Sequence, residues 1–202
     1  MKELGDAVLR LGKLALQFGR TNRGTFYEDG ETPESDTDHT VMLGLIACAY
    51  AKEKAPQLDN GKIAQFALIH DLVEVYAGDV ETLIPLSSEA KEQKRQREQK
   101  ALERIEKEFG TSLPWIPRTV REYESLATPE ARFVKTMDKA MPSITHLFNN
   151  ARYIRNIGLN AVALRAARAE HRKERLSTYA SDQPEALALY DELAARIYKI
   201  LD

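Results

Sequence analysis

Four ionisable side chains lie within one largely apolar stretch of the chain, residues 69–79. They are His70, Asp71, Glu74 and Asp79. A buried charge is costly unless it is paired or binds a metal, so a histidine and an aspartate among leucines, isoleucines and valines need a partner, and a cation is the simplest one. On a helix, Glu74 lies four residues after His70 and three after Asp71, so all three side chains can line one pocket. The stretch therefore indicates a metal site whose other ligands come from elsewhere in the chain.

Two further side chains complete a candidate ligand set. His39 lies near the start of a second apolar stretch, and Asp138 lies within a third. Together with His70 and Asp71 they supply two imidazoles and two carboxylates. Such mixed nitrogen and oxygen donors suit one divalent transition metal (Mn, Co, Fe, Ni or Zn), and Mg is also compatible. Four protein ligands on a six-coordinate ion leave room for water and a substrate oxygen.

Helices are predicted to position these ligands. Apolar residues recur at helical spacing, and no stretch shows the period-2 alternation of strands between hairpin turns, so we predict an all-α bundle of about eight helices with a central metal site. The predicted helices cover residues 2–18, 38–54, 63–76, 88–109, 117–126, 129–141, 159–177 and 184–201. Pro142 is expected to kink or restart the sixth helix. Residues 19–40 contain Gly24, Gly30 and Pro33 and are predicted as a long ordered loop, which is often a functional feature.

Length and composition limit the number of domains, the partners and the location that we expect for this protein. With 202 residues, 43% of them hydrophobic, we expect a single domain over 1–202, with a core of about residues 4–150 and C-terminal helices at 159–201 packed on it. A net charge of -2 makes a nucleic-acid partner unlikely on global charge. No run is long and apolar enough to cross a membrane, and the mature chain is expected to begin at Met1. Cys48 is the single cysteine, which agrees with a reducing cytoplasmic location.

The order of His, His-Asp and Asp, with the residues around them, resembles the HD-domain metal-dependent phosphohydrolases. The resemblance is closest to the 5'-deoxynucleotidase branch and covers roughly residues 4–150. Three motifs carry it: Pro33-Glu34-Ser35-Asp36-Thr37-Asp38-His39, Ile69-His70-Asp71-Leu72-Val73-Glu74-Val75-Tyr76-Ala77-Gly78-Asp79, and Val134-Lys135-Thr136-Met137-Asp138-Lys139. A bare His-Asp pair is weakly specific, whereas all four ligand positions with their flanks, in order, are strongly specific.

The resemblance implies a role for each site residue. The metal ligands would be His39, His70, Asp71 and Asp138. Glu74 and Asp79 match the acids that act near the attacking water and the substrate. The substrate-binding residues would be Arg23, with Arg20 as an alternative, and Lys139. HD proteins with two metals carry extra histidines between the second and last ligands, and this chain has none there, so one ion is expected. The implied reaction is hydrolysis of a (deoxy)nucleoside 5'-monophosphate to nucleoside and phosphate by a homodimer.

Departures from the branch leave alternatives open. Arg23 is followed by Gly24 rather than tryptophan, and Asp79 by Val80-Glu81-Thr82-Leu83 rather than Pro-Thr-Pro. The sugar preference is therefore open. A nucleotide triphosphohydrolase, or another phosphoester hydrolase on the same scaffold, would need more cations in the pocket than Arg23 and Lys139. A non-catalytic HD-fold protein would use the basic segment 151–176, with seven Arg or Lys against two Glu, to contact nucleic acid or a partner.

Overall fold

A computed structural model describes residues 2–79 and 86–202 of the chain. Within those ranges it contains eleven α-helices, eight of which have ten or more residues, and one two-stranded sheet. The elements are α1 (Lys2–Phe18), β1 (Asn22–Phe26), β2 (Pro33–Ser35), α2 (Asp36–Lys54), α3 (Asn60–Ile69), α4 (Glu74–Ala77), α5 (Ser88–Phe109), α6 (Trp115–Glu124), α7 (Pro129–Phe148), α8 (Arg152–Asn156), α9 (Ala161–His171), α10 (Ser177–Tyr179) and α11 (Pro184–Leu201). The prediction of an all-α fold is confirmed. None of the helices in the described ranges combines the length and the apolar character that a membrane crossing requires.

The prediction of a loop over residues 19–40 was wrong in part, because β1 and β2 form an antiparallel hairpin there. Its register pairs Asn22 with Ser35 and Phe26 with Pro33. The turn is held by the Asp29 carboxylate, which accepts hydrogen bonds from the backbone of Glu31 and Thr32 at 2.9 Å. The strands escape sequence analysis because they have five and three residues, too few for an alternating pattern to develop.

The helix that bears His39 begins two residues earlier than predicted. The Ser35 hydroxyl accepts a hydrogen bond from the Asp38 backbone nitrogen, and the Asp38 carboxylate accepts one from the Ser35 backbone nitrogen. This reciprocal capping box satisfies two backbone donors at the start of α2. The helix therefore follows β2 directly and places His39 in its first turn, at the junction with the hairpin.

The predicted continuous helix over 63–76 is also wrong, since it breaks at the His-Asp pair. The helix α3 ends at Ile69, a turn covers residues 70–73, and α4 follows. The turn is closed by hydrogen bonds from Leu72 N to Ile69 O and from Glu74 N to Asp71 O, each spanning three residues rather than four. Such tightened turns rotate successive side chains differently from an α-helix, so His70 and Asp71 need not diverge.

The central helix of the fold is α7, which contacts α2, α3, α6 and α11. Its side chains Phe133, Val134, Met137 and Met141 are fully buried in the main core. The helix runs through Pro142 without ending, so the predicted restart does not occur. Asp138 is thereby placed in the middle of a helix that is surrounded by other elements.

The long charged helix α5 matches its predicted bounds and begins after the Ser87 cap. Only Ala101, Ile105 and Phe109 on it are fully buried, and it packs against α4 and α6. The predicted helix over 159–177 is instead α9, a π-helical turn at Arg172–Leu176 and the short α10. A π-turn inserts an extra residue per turn, and the hydrophobic spacing of the sequence does not reveal it.

Five arginines of the basic segment 151–176 are engaged within the chain. They form ion pairs or hydrogen bonds as follows: Arg152 with Glu31, Arg155 with backbone oxygens of Asn150 and Ile200, Arg165 with Asp202, Arg168 with Ser143, and Arg172 with Asp191. Two of these contacts link the segment to the hairpin and to α7, and the other three link it to residues 191–202.

His146 is a buried residue of α7, outside the three motifs. Its ring stacks on Tyr153 with centroids 6.1 Å apart, and its Nδ1 atom has no hydrogen-bond partner among the described residues. Burial, with a smaller effect of Arg168, lowers the pKa of His146 to about 4. The imidazole is therefore neutral in the folded protein and serves the packing.

We expect His146 to make the fold sensitive to acid. Between pH 6.5 and pH 4 the unfolded chain protonates this histidine and the folded chain does not, so stability falls as the pH falls. At about 1.4 kcal/mol per pKa unit, the loss attributable to His146 at pH 4 is about 3 kcal/mol. Urea unfolding of wild type and His146→Phe at pH 7, 5.5 and 4 measures it. Equal losses in the two proteins would contradict this assignment.

Candidate metal and phosphate site

The four predicted ligands converge at one point between α2, α3 and α7. One donor atom from each of His39, His70, Asp71 and Asp138 lies within 4.8 Å of the others. His39 Nε2 lies 2.9 Å from Asp138 Oδ1, and His70 Nε2 lies 2.8 Å from Asp71 Oδ2 and 3.8 Å from Asp138 Oδ1. The break after Ile69 lets the neighbours His70 and Asp71 face the same point.

Each imidazole is oriented by a contact to its far nitrogen. His70 Nδ1 lies 2.8 Å from Ala67 O, and because a carbonyl only accepts, Nδ1 donates and Nε2 keeps its lone pair. His39 Nδ1 faces Glu34 Oε1 at 3.6 Å. A carboxylate or carbonyl behind a ligating histidine is the usual arrangement in metal sites.

The chemistry of this donor set fits a divalent cation. His70 Nε2 is buried and makes no hydrogen bond among the described residues, although Asp71 Oδ2 is 2.8 Å away. Burial alone would raise the pKa of Asp71, but His70 and the Arg23 guanidinium hold it below its ordinary value. A carboxylate oxygen and an imidazole nitrogen that face the same point can both coordinate a transition metal. The cluster could bind a metal ion, and its identity is open.

Glu34 is a site residue that sequence analysis did not assign. It is buried on β2, and its second oxygen accepts a hydrogen bond from the Thr25 hydroxyl on β1. Burial alone would raise the pKa of Glu34, but His39 and Thr25 outweigh it and lower the pKa. Glu34 lies inside the first motif. Its position directly before Ser35, the cap of α2, was the sequence signal that could have identified it. The hairpin thus holds the carboxylate that orients His39.

Arg23 on β1 contacts the acids of the site. Its Nη1 lies 2.6 Å from Asp71 Oδ2, 3.1 Å from Asp36 Oδ1 and 3.8 Å from Glu74 Oε2. Asp36 on α2 is a fully buried partner of this guanidinium. Arg20 is exposed at the end of α1 and makes no ion pair with any described residue. The structure therefore brings Arg23, and not Arg20, to the ligand cluster.

Glu74 lies beside the ligand cluster as a buried acid. Burial raises its pKa to about 10, with further contributions from the charges of Asp71 and Asp79. Arg23 and Lys94 oppose that shift, and Lys94 Nζ lies 3.6 Å from Glu74 Oε1. A carboxyl with such an affinity for a proton is typical of acid–base residues.

A cavity of about 280 Å³ opens over this cluster. Its lining includes His70, Asp71, Glu74 and Asp79, and Asp79 is half-buried. Six cations and two further glutamates also line it: Arg23, Lys91, Lys94, Arg95, Lys135, Lys139, Glu98 and Glu124. Lys139 Nζ lies 2.7 Å from Asp138 Oδ2. Three of these cations come from α5. The Val80-Glu81-Thr82-Leu83 departure lies outside the described residues.

The model of the HD domain family matches residues 17–178. The chain belongs to the HD domain family. This finding agrees with the order of its four ligand positions.

Named relatives and solved structures are similar to this chain. The 5'-deoxynucleotidase HDDC2 of Xenopus laevis is 32% identical over 137 residues, which is 67% of this chain and 65% of the relative. The 5'-deoxynucleotidase hdd1 of Schizosaccharomyces pombe is 31% identical over 121 residues, 57% of this chain and 58% of the relative. Each match thus spans less than two thirds of the relative. A solved protein described as a predicted metal-dependent phosphohydrolase from Magnetospirillum magnetotacticum is 23% identical, with a TM-score of 0.69 and coverage of 97% of this chain and 98% of that one, which shows the fold.

We expect Glu34 to set the affinity for metal. Glu34→Ala removes the carboxylate behind His39, and loss of such a partner typically lowers metal affinity 10- to 100-fold. Titration of chelator-stripped protein with Mn, Co or Zn measures the effect. Glu31→Ala, which removes an exposed carboxylate of the same hairpin, is the matched control and should bind like wild type. Unchanged affinity in a folded Glu34→Ala protein would show that His39 needs no such support.

Proposed function

We propose that this protein is a metal-dependent phosphohydrolase, a 5'-nucleotidase that converts (deoxy)nucleoside 5'-monophosphates to nucleoside and phosphate. The observation that carries the proposal is the cluster of His39, His70, Asp71 and Asp138 beside a cavity that six cationic side chains help to line. Metal ligands together with ammonium and guanidinium groups are suited to a phosphate. Relatives named 5'-deoxynucleotidase support the substrate class.

The four ligands would hold one divalent ion, Mn, Co, Fe, Ni or Zn, with Mg also compatible. When bound, such an ion polarises a phosphate oxygen and lowers the pKa of a water. Glu74 orients that water and exchanges a proton with it, because its buried carboxyl binds a proton far more tightly than an exposed glutamate does. Asp79, which also lines the cavity, would help to orient the same water. The water oxygen bonds to phosphorus and its proton passes to Glu74, while the bond to the 5' oxygen breaks and the proton that Glu74 carried passes to that oxygen, which leaves as the nucleoside hydroxyl.

Arg23 and Lys139 prepare the site for the phosphate. Arg23 holds Asp71 and Glu74 through one terminal nitrogen, which leaves its other donors for phosphate oxygens. Lys139 binds the free oxygen of Asp138 and fixes the rotamer of that ligand. In these roles the cations orient the acids as well as attract the substrate. Arg20 has no part in this arrangement.

A nucleotide triphosphohydrolase is the second candidate function. Sequence analysis required more cations than Arg23 and Lys139 for that reading, and the cavity contains four others, three of them from α5. The reading of a non-catalytic nucleic-acid-binding protein gains no such support. Five of the arginines on which it would depend are engaged by acids, a hydroxyl and backbone oxygens of the chain itself.

We further propose one domain over residues 1–202, a homodimer and a cytoplasmic location. The main core draws buried residues from α1, α2, α3, α5, α6, α7, α10 and α11, and a smaller cluster joins α8, α9 and α11, which supports one domain. Leu9, Leu16 and Leu45 are exposed by about seven tenths on α1 and α2, and such apolar side chains favour association. The single cysteine agrees with a reducing compartment.

Activity assays with metal-stripped protein test the proposal. Phosphate release from deoxy- and ribonucleoside mono- and triphosphates should require added metal and should be lost in Asp71→Ala, which also should lose metal binding. Glu74→Gln should keep metal binding and slow turnover by about 10² to 10⁴, the range for a general acid–base group. Glu103→Gln, an exposed change on α5, is the control. Metal-loaded wild type that releases phosphate from no nucleotide would refute the proposal.

A further inference from the structure

Most cations around the cavity already have an acidic partner. The pairs are Arg23 with Asp71 at 2.6 Å, Lys94 with Glu98 at 2.7 Å, Arg95 with Glu92 at 2.7 Å and Lys139 with Asp138 at 2.7 Å. Lys135 differs from them. It lines the same cavity, and it makes no hydrogen bond or ion pair with any residue in 2–79 or 86–202.

The position of Lys135 is set by two features of the fold. It lies three residues before Asp138 on α7, so the two side chains share one face of that helix. Its ammonium lies 5.2 Å from the centroid of the Tyr123 ring, and that ring is fully buried. The same ring meets His70 edge-on at 6.2 Å. Tyr123 therefore holds the ammonium beside the ligand cluster.

Lys135 is charged in this environment. Burial alone would lower its pKa, but Tyr123 and the carboxylates of Glu124 and Asp138 outweigh burial and raise the pKa above its ordinary value. A cation over an aromatic face offsets only part of the cost of removing an ammonium from water. Glu124 also lines the cavity but forms no ion pair with Lys135 among the described residues, so the three N–H donors of the ammonium remain available to an anion in the cavity.

The acids of the ligand cluster do not supply that anion. Asp71 is contacted by Arg23 and His70, and Asp138 by Lys139 and His39. Two carboxylate ligands also match the charge of one divalent ion. The ligand cluster therefore does not need the positive charge of Lys135, which lines the cavity that the substrate would occupy.

We propose that Lys135 binds the phosphate group of the substrate, through an oxygen that the ligand cluster does not hold. The inference rests on the proposed function for the identity of the substrate, and on the cavity geometry for the anion itself. Tyr123 is the positioning residue for this ammonium. Arg23, with its Nη1 close to three carboxylates, then serves chiefly to orient the acids, and Lys135 is the cation reserved for phosphate.

Binding of inorganic phosphate to the metal-loaded protein tests this inference. Lys135→Met keeps the aliphatic stem and removes the charge, and calorimetry should show a phosphate Kd at least about tenfold higher, as expected for loss of a charged hydrogen bond. Lys135→Arg should recover most of the affinity. Lys100→Met, which removes an exposed lysine of α5, should bind phosphate like wild type. Lys135→Gln replaces the methionine variant if that protein fails to fold.

Two further readouts separate this role from others. Metal affinity should be the same in Lys135→Met and wild type, and the KM for a monophosphate should rise more than kcat falls. A phosphate Kd that does not change, or a metal affinity that falls in parallel with it, would overturn the inference. Phosphate binding that depends on Lys135 in a protein that hydrolyses no nucleotide would support the inference and refute the proposed function. Turnover with an unchanged KM in Lys135→Met would support the proposed function and refute the inference about Lys135.

Discussion

The structure depends on the need to compensate charges that are removed from water. Asp71 illustrates this need, because a single oxygen of its carboxylate lies within 2.8 Å of both the Arg23 guanidinium and the His70 imidazole. A buried carboxylate without such partners would cost several kcal/mol and would be protonated instead. The hairpin, the turn after α3 and α7 are each positioned so that their polar side chains meet at this place.

The hairpin illustrates how a small element can have a large effect. Its eight strand residues bury little apolar area, yet they present Arg23 and Thr25 from one strand and Glu34 from the other. The capping box at Ser35 and Asp38 fixes the junction of the hairpin with α2. As a result, the group that orients His39 and the cation that contacts Asp71 belong to one rigid unit.

Sequence analysis could find the ligand residues because their signal is local. A His-Asp pair in an apolar run, and single polar residues at His39 and Asp138 in two other such runs, stand out without knowledge of the fold. The choice between Arg23 and Arg20 was not local, because it depends on the register of a hairpin too short to show alternation. The break after Ile69 depends on three-residue hydrogen bonds that helix propensity does not encode. The roles of Glu34, Asp36 and Lys135 depend on contacts with residues that are not their neighbours in sequence, and only the packed structure shows those contacts.

The distribution of charge around the cavity also implies an order of binding. Asp71 and Asp138 lie together in the ligand cluster, so an anion that enters first meets carboxylates that Arg23 and Lys139 only partly neutralise. Coulomb repulsion between such groups is strong in a site shielded from water. Once the ligand cluster holds a divalent cation, the charges of its two carboxylates are balanced, and Arg23, Lys135 and the cations of α5 are left to attract an anion. The electrostatics of the site therefore favour cation binding before anion binding.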